Sequence, residues 1–444
     1  MYTDEEVRAR SVIEITSPVT YDSLNTPLPR GLYDPHLGPT EKHGGSCITC
    51  GNPPDFCPGH FGHIELCVPL YHPLIFPKLI QLMRCKCLNC HDFKIGKVTA
   101  KTYMAKLALI ESGKAIDAIQ LDAKLKDIKT KYAQKNSLED ENQYLSNLIE
   151  KYAVNSSSRS NILLTSHERT IQRDTVKAFI ADCLARNKCA NCNACSPKVR
   201  QDAHNKLFQS SLNQKQKLIN LAEGITIKAA LSQNEKDNLT SGYGSDDSVA
   251  ELNGEDITGG DIFTSEIADD ISIDDDESKD KYMHALEVEA QLKLTWRMQP
   301  YLCSRAFALS HTRKKSPAKG YTAFFLRAVA VPPSKFRPPM VLGSMTAEHS
   351  QNLNLTKVLE LNHSIRTMFA SIALISEEVE DDETSEDAQN RQDERENLQQ
   401  RCISTWINLQ TVINTFYDSS KTDDDKAPNG IRQLLEKKEG MFRK

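Results

Sequence analysis

Two segments near the end of the 444-residue chain carry the clearest apolar period. Val358, Leu361, Ile365, Met368, Ile372 and Ile375 alternate spacings of three and four, and Leu398, Cys402, Trp406, Leu409, Ile413 and Phe416 nearly repeat them. Each spacing puts an apolar seam on one face of a helix, and together they predict an antiparallel coiled-coil hairpin over 350–417. Two ordinary helices on a globular core are the competing reading; the long charged connection between the segments favours a hairpin that protrudes. Upstream, residues 101–185 have few glycines and many Ala, Leu, Lys and Glu, which predicts helix, and residues 204–232 continue that way. Residues 63–84 begin like a strand and continue, from about Pro77, as a short buried helix. Residues 17–40 hold too much Pro and Gly for a long helix and read as ordered turns. LEVEAQLKLTWRM and the apolar AFFLRAVAV lie within 282–330, and VPPSKFRPP follows at 331–339. Its four prolines predict a stiff, extended element from which Lys335 and Arg337 project.

Charge changes the picture. The total is −5, yet 233–281 holds 16 Asp/Glu against 3 Lys and 377–387 adds a further −8, which leaves +16 for the remainder. A basic body with two compact acidic blocks suits a polyanion partner such as nucleic acid. Lys and Arg spread over solvated faces explain the same number equally well. Residues 233–281 combine Asp, Glu, Ser and Gly with almost no aromatics, so they cannot bury enough apolar surface to order themselves. No apolar run is long enough to span a bilayer and no signal peptide opens the chain, which implies a soluble, intracellular protein without a membrane partner.

Thirteen cysteines in such a chain point to metal rather than to disulfides. CITCGNPPDFCPGH supplies Cys47-x2-Cys50 and Cys57-x2-His60, four ligands of the kind zinc takes in a tetrahedron. His63 is an alternative fourth ligand. A second set is split: Cys87-x2-Cys90 lies in CKCLNC and Cys189-x2-Cys192 in KCANCNAC, where Cys192-x2-Cys195 competes and Cys85 precedes the first pair. Cys67, Cys183, Cys303 and Cys402 read as buried small hydrophobes. Both ligand sets fill all four positions with protein, and neither HExxH, HxE with PCxxC, a P-loop nor GxGxxG occurs, so both ions read as structural and no catalytic residue is assigned. A zinc hydrolase is disfavoured for the same reason; a free-standing zinc-stapled regulator is the alternative to a nucleic-acid enzyme component.

GLYDPHLGP, then CITCGNPPDFCPGHFGHIELCVPLYHP, then CKCLNC resembles, in order and wording, the N-terminal region of the largest subunit of multisubunit DNA-directed RNA polymerases. LYDPHLG and KCANCNACSP look most like the polymerase I branch, which acts in the nucleus and nucleolus on ribosomal RNA genes. The resemblance implies an α+β, mainly helical clamp module, stapled by two zinc ions on Cys47, Cys50, Cys57, His60 and on Cys87, Cys90, Cys189, Cys192. It divides the chain into a lead-in (1–46), a zinc-binding segment (47–100), a helical clamp head (101–232), an acidic insertion (233–281), clamp core with a lid-like loop (282–349), the coiled-coil hairpin (350–417), and rudder with the start of a switch segment (418–444). It implies nucleic-acid contacts by Lys335, Arg337, Lys437, Lys438, Arg443 and Lys444 with template DNA and the DNA–RNA hybrid. It also implies partners among the other polymerase subunits, the second-largest included, and transcription factors at the hairpin. The family's NADFDGD motif, which holds catalytic Mg2+, is absent, so that ion belongs to the parent enzyme and the chain reads as a fragment that is inactive alone.

Overall fold

The computed structural model describes residues 2–24, 26–39, 45–133, 147, 164–225, 280–307, 317–338, 340–342, 345–377, 385–422, 424 and 427–436. Thr3 opens α1 (Asp4–Arg10) through a reciprocal capping box with Glu6. β1 (Gly62–Tyr71) buries alternate residues at its start, as the sequence pattern anticipates, and both faces at its end. Pro77 sits in the first turn of α2 (Phe76–Cys85), where its missing N–H has no helical acceptor to lose. Then come α3 (Lys97–Glu111), α4 (Ala115–Ala133) and α5 (Ser166–Leu184), which carry the long helical pattern. β2 (Val199–Asp202), β3 (Lys206–Gln209), α6 (Gln214–Ala222), β4 (Lys281–Met283), α7 (Ala285–Met298), α8 (Pro300–Ala306) and β5 (Phe325–Val331) follow. The chain closes with β6 (Met340–Leu342), β7 (Met345–Ala347), α9 (Ser350–Glu377), α10 (Ser385–Tyr417) and α11 (Ile431–Leu435). The molecule is mainly helical with small sheets.

β1 and β5 pair antiparallel at the centre, with a register break between Glu65 and Leu70. Side-chain amides from α9 and α10 satisfy backbone groups of β1 through this irregular stretch. Asn362 accepts from Cys67 N (2.9 Å) and donates to Glu65 O (2.9 Å); Gln410 accepts from Tyr71 N (2.7 Å) and donates to Tyr71 O (2.9 Å). Buried backbone groups need such partners, so two amides fix where both long helices cross the strand. The main core runs from Ile15 through β1, α2, α7 and β5 to Phe416, and Val358, Ile365, Met368, Cys402, Trp406, Leu409 and Ile413 all belong to it. The periodic seams therefore root the two helices in the globular core as well as against each other, while Ile375 and Leu398 are only half-buried. A smaller core joins α3 to α4 through Ala105, Leu109, Ile110, Ala118, Leu121 and Leu125.

Several expectations change. Residues 206–209, anticipated as helix, form the middle strand of a β2–β3–β4 sheet. The Pro-rich element is not extended throughout: a tight 3-10 turn spans Ser334–Phe336. Cys183, Cys303 and Cys402 are buried, and Cys67 is partly buried against the same core. The acidic stretch through 279, and the tail bearing Lys437, Lys438, Arg443 and Lys444, lie outside the described residues.

Candidate metal centres and the loop between them and the long helices

One local design occurs three times. In each Cys-x2-Cys turn the first cysteine's N–H donates five residues ahead: Cys47 to Asn52 O (2.9 Å), Cys87 to Asp92 O (2.8 Å), Cys189 to Ala194 O (2.9 Å). The residue after the second cysteine donates back to the first cysteine's carbonyl, as Gly51, His91 and Asn193 do at 2.8, 3.1 and 3.1 Å. Those three residues all take left-handed φ values, +70°, +58° and +59°. The N–H two residues past the leading cysteine then points at its sulfur, at 3.4 Å from Asn89 to Cys87 and from Asn191 to Cys189; Gly59 does the same for Cys57. This geometry separates the competing registers of the second set. Cys189 and Cys192 form a turn of this design, whereas Cys195 N is held instead by the Asn220 side chain (2.8 Å).

Cys47, Cys50, Cys57 and His60 bring one ligand atom each to within 4.8 Å of one another, and so do Cys87, Cys90, Cys189 and Cys192. Cys50 and Cys57 sulfurs are 3.7 Å apart, as are Cys87 and Cys192, and Cys90 and Cys189. A tetrahedral ion with bonds of ~2.3 Å to sulfur spaces its ligands by about 3.7 Å, so the donor sets fit zinc. Burial pushes the Cys57 thiol up to about 11, so its thiolate form calls for a cation beside it. His63 does not join the first set; its Nδ1 lies 2.7 Å from Ser11 Oγ.

The two centres are held differently. At the second, Asn191 Nδ2 donates to Asp92 Oδ2, Phe93 O and Ile95 O (3.3, 3.1 and 3.1 Å), so one cysteine turn is tied to the other. Ala190 N donates to Lys94 O (3.0 Å), and Asn220 of α6 clasps Cys195 from both sides. At the first, His60 N donates to Leu37 O (3.1 Å) and Thr49 Oγ1 to His36 O (2.7 Å). Asp34 nucleates that neighbouring turn by accepting from His36 N (2.8 Å) and His36 Nδ1 (2.7 Å).

The first centre also rests on the Pro-rich loop. A Cβ on Gly59, whose φ is +82°, would come within 2.6 Å of Pro333 Cβ. Lys335 Nζ donates to Cys57 O (3.1 Å) from an otherwise exposed residue. Arg337 corrects an expectation: it does not project toward a polyanion but is fully buried. Its guanidinium donates to Leu32 O (2.7 Å), to Pro332 O (2.9 and 3.0 Å) and to Asn352 Oδ1 on α9, over the Tyr33 ring. Tyr33 OH returns a bond to Arg337 O (2.7 Å). Burial pushes the guanidinium down to about 10, which leaves it a cation at neutral pH. Arg337 thus knots the 31–38 turn, the loop and the start of α9. The residues that receive it were not singled out by the sequence, since Leu32 and Asn352 gain meaning only once they meet.

A mainly helical chain with two four-ligand cysteine centres, built around this frame, belongs to the RNA polymerase Rpb1, domain 1 family, which it matches over residues 1–258. It is 30% identical to the DNA-directed RNA polymerase I subunit rpa1 of Schizosaccharomyces pombe, with all of this chain and 27% of that protein aligned. It is equally similar, again at full coverage of this chain and 27% of the relative, to DNA-directed RNA polymerase I subunit RPA190 of Saccharomyces cerevisiae. DNA-directed RNA polymerase I subunit 1 of Arabidopsis thaliana is 30% identical over 99% of this chain and 24% of its own length. The chain therefore spans about a quarter of the length of these curated relatives. No described helix is long and apolar enough to cross a membrane.

Proposed function

We propose that this chain forms the clamp portion of the largest subunit of DNA-directed RNA polymerase I, acting in the nucleus and nucleolus to hold DNA and the DNA–RNA hybrid during transcription of ribosomal RNA genes. End-to-end similarity to three polymerase I subunits is the observation that carries this reading. Zinc fills both centres as a structural ion: all four positions are protein ligands, so no site remains for an activated water. α9 and α10 serve as the clamp's coiled-coil hairpin, rooted in the core by their seams and offering their distal part to an initiation or elongation factor. The loop after β5 serves as the lid. With Arg337 withdrawn into the interior, contacts to nucleic-acid phosphates fall to Lys335 and to Lys437, Lys438, Arg443 and Lys444, whose cationic groups need no base sequence. Other polymerase subunits, the second-largest among them, complete the cleft.

The test is to purify the native protein from cell extract, weigh its metal and challenge it with a DNA–RNA hybrid at rising salt. Two zinc ions per chain, companion polymerase subunits and sequence-independent, salt-sensitive binding are expected. A protein without those companions, or binding that ignores salt, would overturn the assignment.

A further inference from the structure

The chain holds 60 Asp/Glu against 55 Lys/Arg, yet the two signs are not mixed evenly. Between Glu289 and Glu348 there is no Asp or Glu, while ten Lys or Arg occur. An acid-free stretch marks a polyanion contact only where its cations are exposed and unpaired, so each has to be placed. Arg327 is taken by Glu289 (2.8 Å) and Arg305 by Glu111 (2.9 Å). Arg337 is buried, and Lys335 donates to Cys57 O at the first centre. Arg313, Lys314 and Lys315 lie outside the described residues. Lys293, Arg297 and Lys319 remain. All three are exposed, and no carboxylate among the described residues lies within ion-pair reach of them.

The fold gathers these three. Lys293 and Arg297 stand about one turn apart on α7, which buries Val288, Leu292, Thr295 and Trp296 elsewhere on its surface. Lys319 lies in a 3-10 segment, Pro317–Phe324, that packs on the end of α7: a Cβ on Gly320 would come within 3.0 Å of Trp296 Nε1. Met298 and Tyr301, at the joint of α7 and α8, are also exposed. The first centre is remote from this strip. Phe325 pairs with Tyr71 and Val331 with Gly62, so β5 runs from the strip toward the Pro-rich loop. Its seven residues of strand separate Lys319 from Lys335 by about 20 Å.

We propose that Lys293, Arg297 and Lys319 form a contact surface for the phosphates of duplex DNA, separate from Lys335 and from the basic tail. Their carriers favour a duplex. The cations stand on a helix and a turn fixed in the core, and one exposed ring, Tyr301, is too few for the successive stacking that single strands use. Phosphate contacts carry no sequence information, so the surface accepts any duplex. The choice of nucleic acid as partner rests on the function proposed above.

The experiment measures binding of the full chain to a short blunt-ended duplex DNA at rising salt. Each phosphate contact adds about 0.9 to the slope of log affinity against log salt. A triple variant, Lys293→Gln with Arg297→Gln and Lys319→Gln, should therefore lower that slope by about 2.7. Over a roughly fourfold rise in salt the wild type should then lose about 40-fold more affinity than the variant does. Melting temperature and zinc content should stay at wild-type values, since all three side chains are exposed. A control triple, Arg169→Gln with Arg173→Gln and Lys177→Gln, removes the same charge from exposed positions of α5 and should leave the slope unchanged. An unchanged slope in the first triple, an equal fall in both triples, or a fall seen with single-stranded RNA but not with duplex DNA would overturn the proposal. A wild-type chain that binds no DNA would overturn the nucleic-acid reading itself, and this inference with it.

Discussion

The two candidate metal centres share one turn design but do different structural work. The first is a local device: its ligands span 47–60, and it bears on the 31–38 turn and the Pro-rich loop. The second joins cysteine turns about a hundred residues apart and brings the end of α5 back beside α2. Closing a longer loop removes more entropy from the unfolded chain, so two four-ligand sets of similar size stabilise unequally. A staple's importance lies in what it connects rather than in the strength of its bonds.

The largest expected effect comes from removing a ligand at each centre. Cys189→Ser should lose one zinc and loosen 164–225 as a unit, at a cost of several kcal/mol, since metal binding and folding are one free energy at such sites. Cys57→Ser should also lose one zinc but loosen only 45–60 and the loop at 332–337. Hydrogen exchange resolved by peptide distinguishes the two; equal spread from both variants would mean that both centres staple the fold over the same range.

Next in size is Arg337→Met. It strips Leu32 O, Pro332 O and Asn352 Oδ1 of a buried charged donor, which should cost about 3–5 kcal/mol and lower the melting temperature with both zinc ions retained. A variant that melts normally yet binds nucleic acid less tightly would restore the projecting role first expected of this residue.

Acid should also weaken the fold through its buried histidines, of which His284 is one. His284 caps α7 beside β4 by accepting from Glu287 N (3.3 Å), and burial pushes it down to about 4. Its folded value is below its usual one of 6.5, so the stability it contributes is present above pH 6.5 and is lost as pH falls toward 4, by about 2–3 kcal/mol. Urea midpoints between pH 7 and 4.5 should fall accordingly, and His284→Asn, which keeps a cap without titrating, should flatten the slope.

The smallest effect sharpens the link between first centre and loop. Gly59→Ala forces a Cβ against Pro333 in a left-handed backbone and should cost about 1–2 kcal/mol, with faster exchange at 332–337. An unchanged loop would mean that the contact does not couple the two.

How much of this was legible beforehand depended on distance along the chain. The first ligand set could be read because all four residues fall inside one short segment. The helical seams could be read because a period of three and four is a local signal. The pairing of Cys87 and Cys90 with Cys189 and Cys192 was legible as a possibility, but the choice against Cys195 was not, because both spacings are x2 and only the left-handed residue at Asn193 and the clasp by Asn220 distinguish them. The β2–β3–β4 sheet escaped notice for a related reason: VRQD and KLFQ are too short and too mixed to show alternation, and β4 arrives only after the acidic stretch.

By itself the sequence determined the local chemistry of this protein: two sets of zinc-type ligands, two long amphipathic helices, two acidic blocks and the wording that places the chain in its family. Spacing and periodicity are properties of neighbours in the chain, and they survive without a fold. The tertiary structure alone decided which cysteines meet and that Arg337 turns inward to bind three distant segments. Those outcomes depend on contacts between residues far apart in the chain, whose free energies exist only once the core has brought them together.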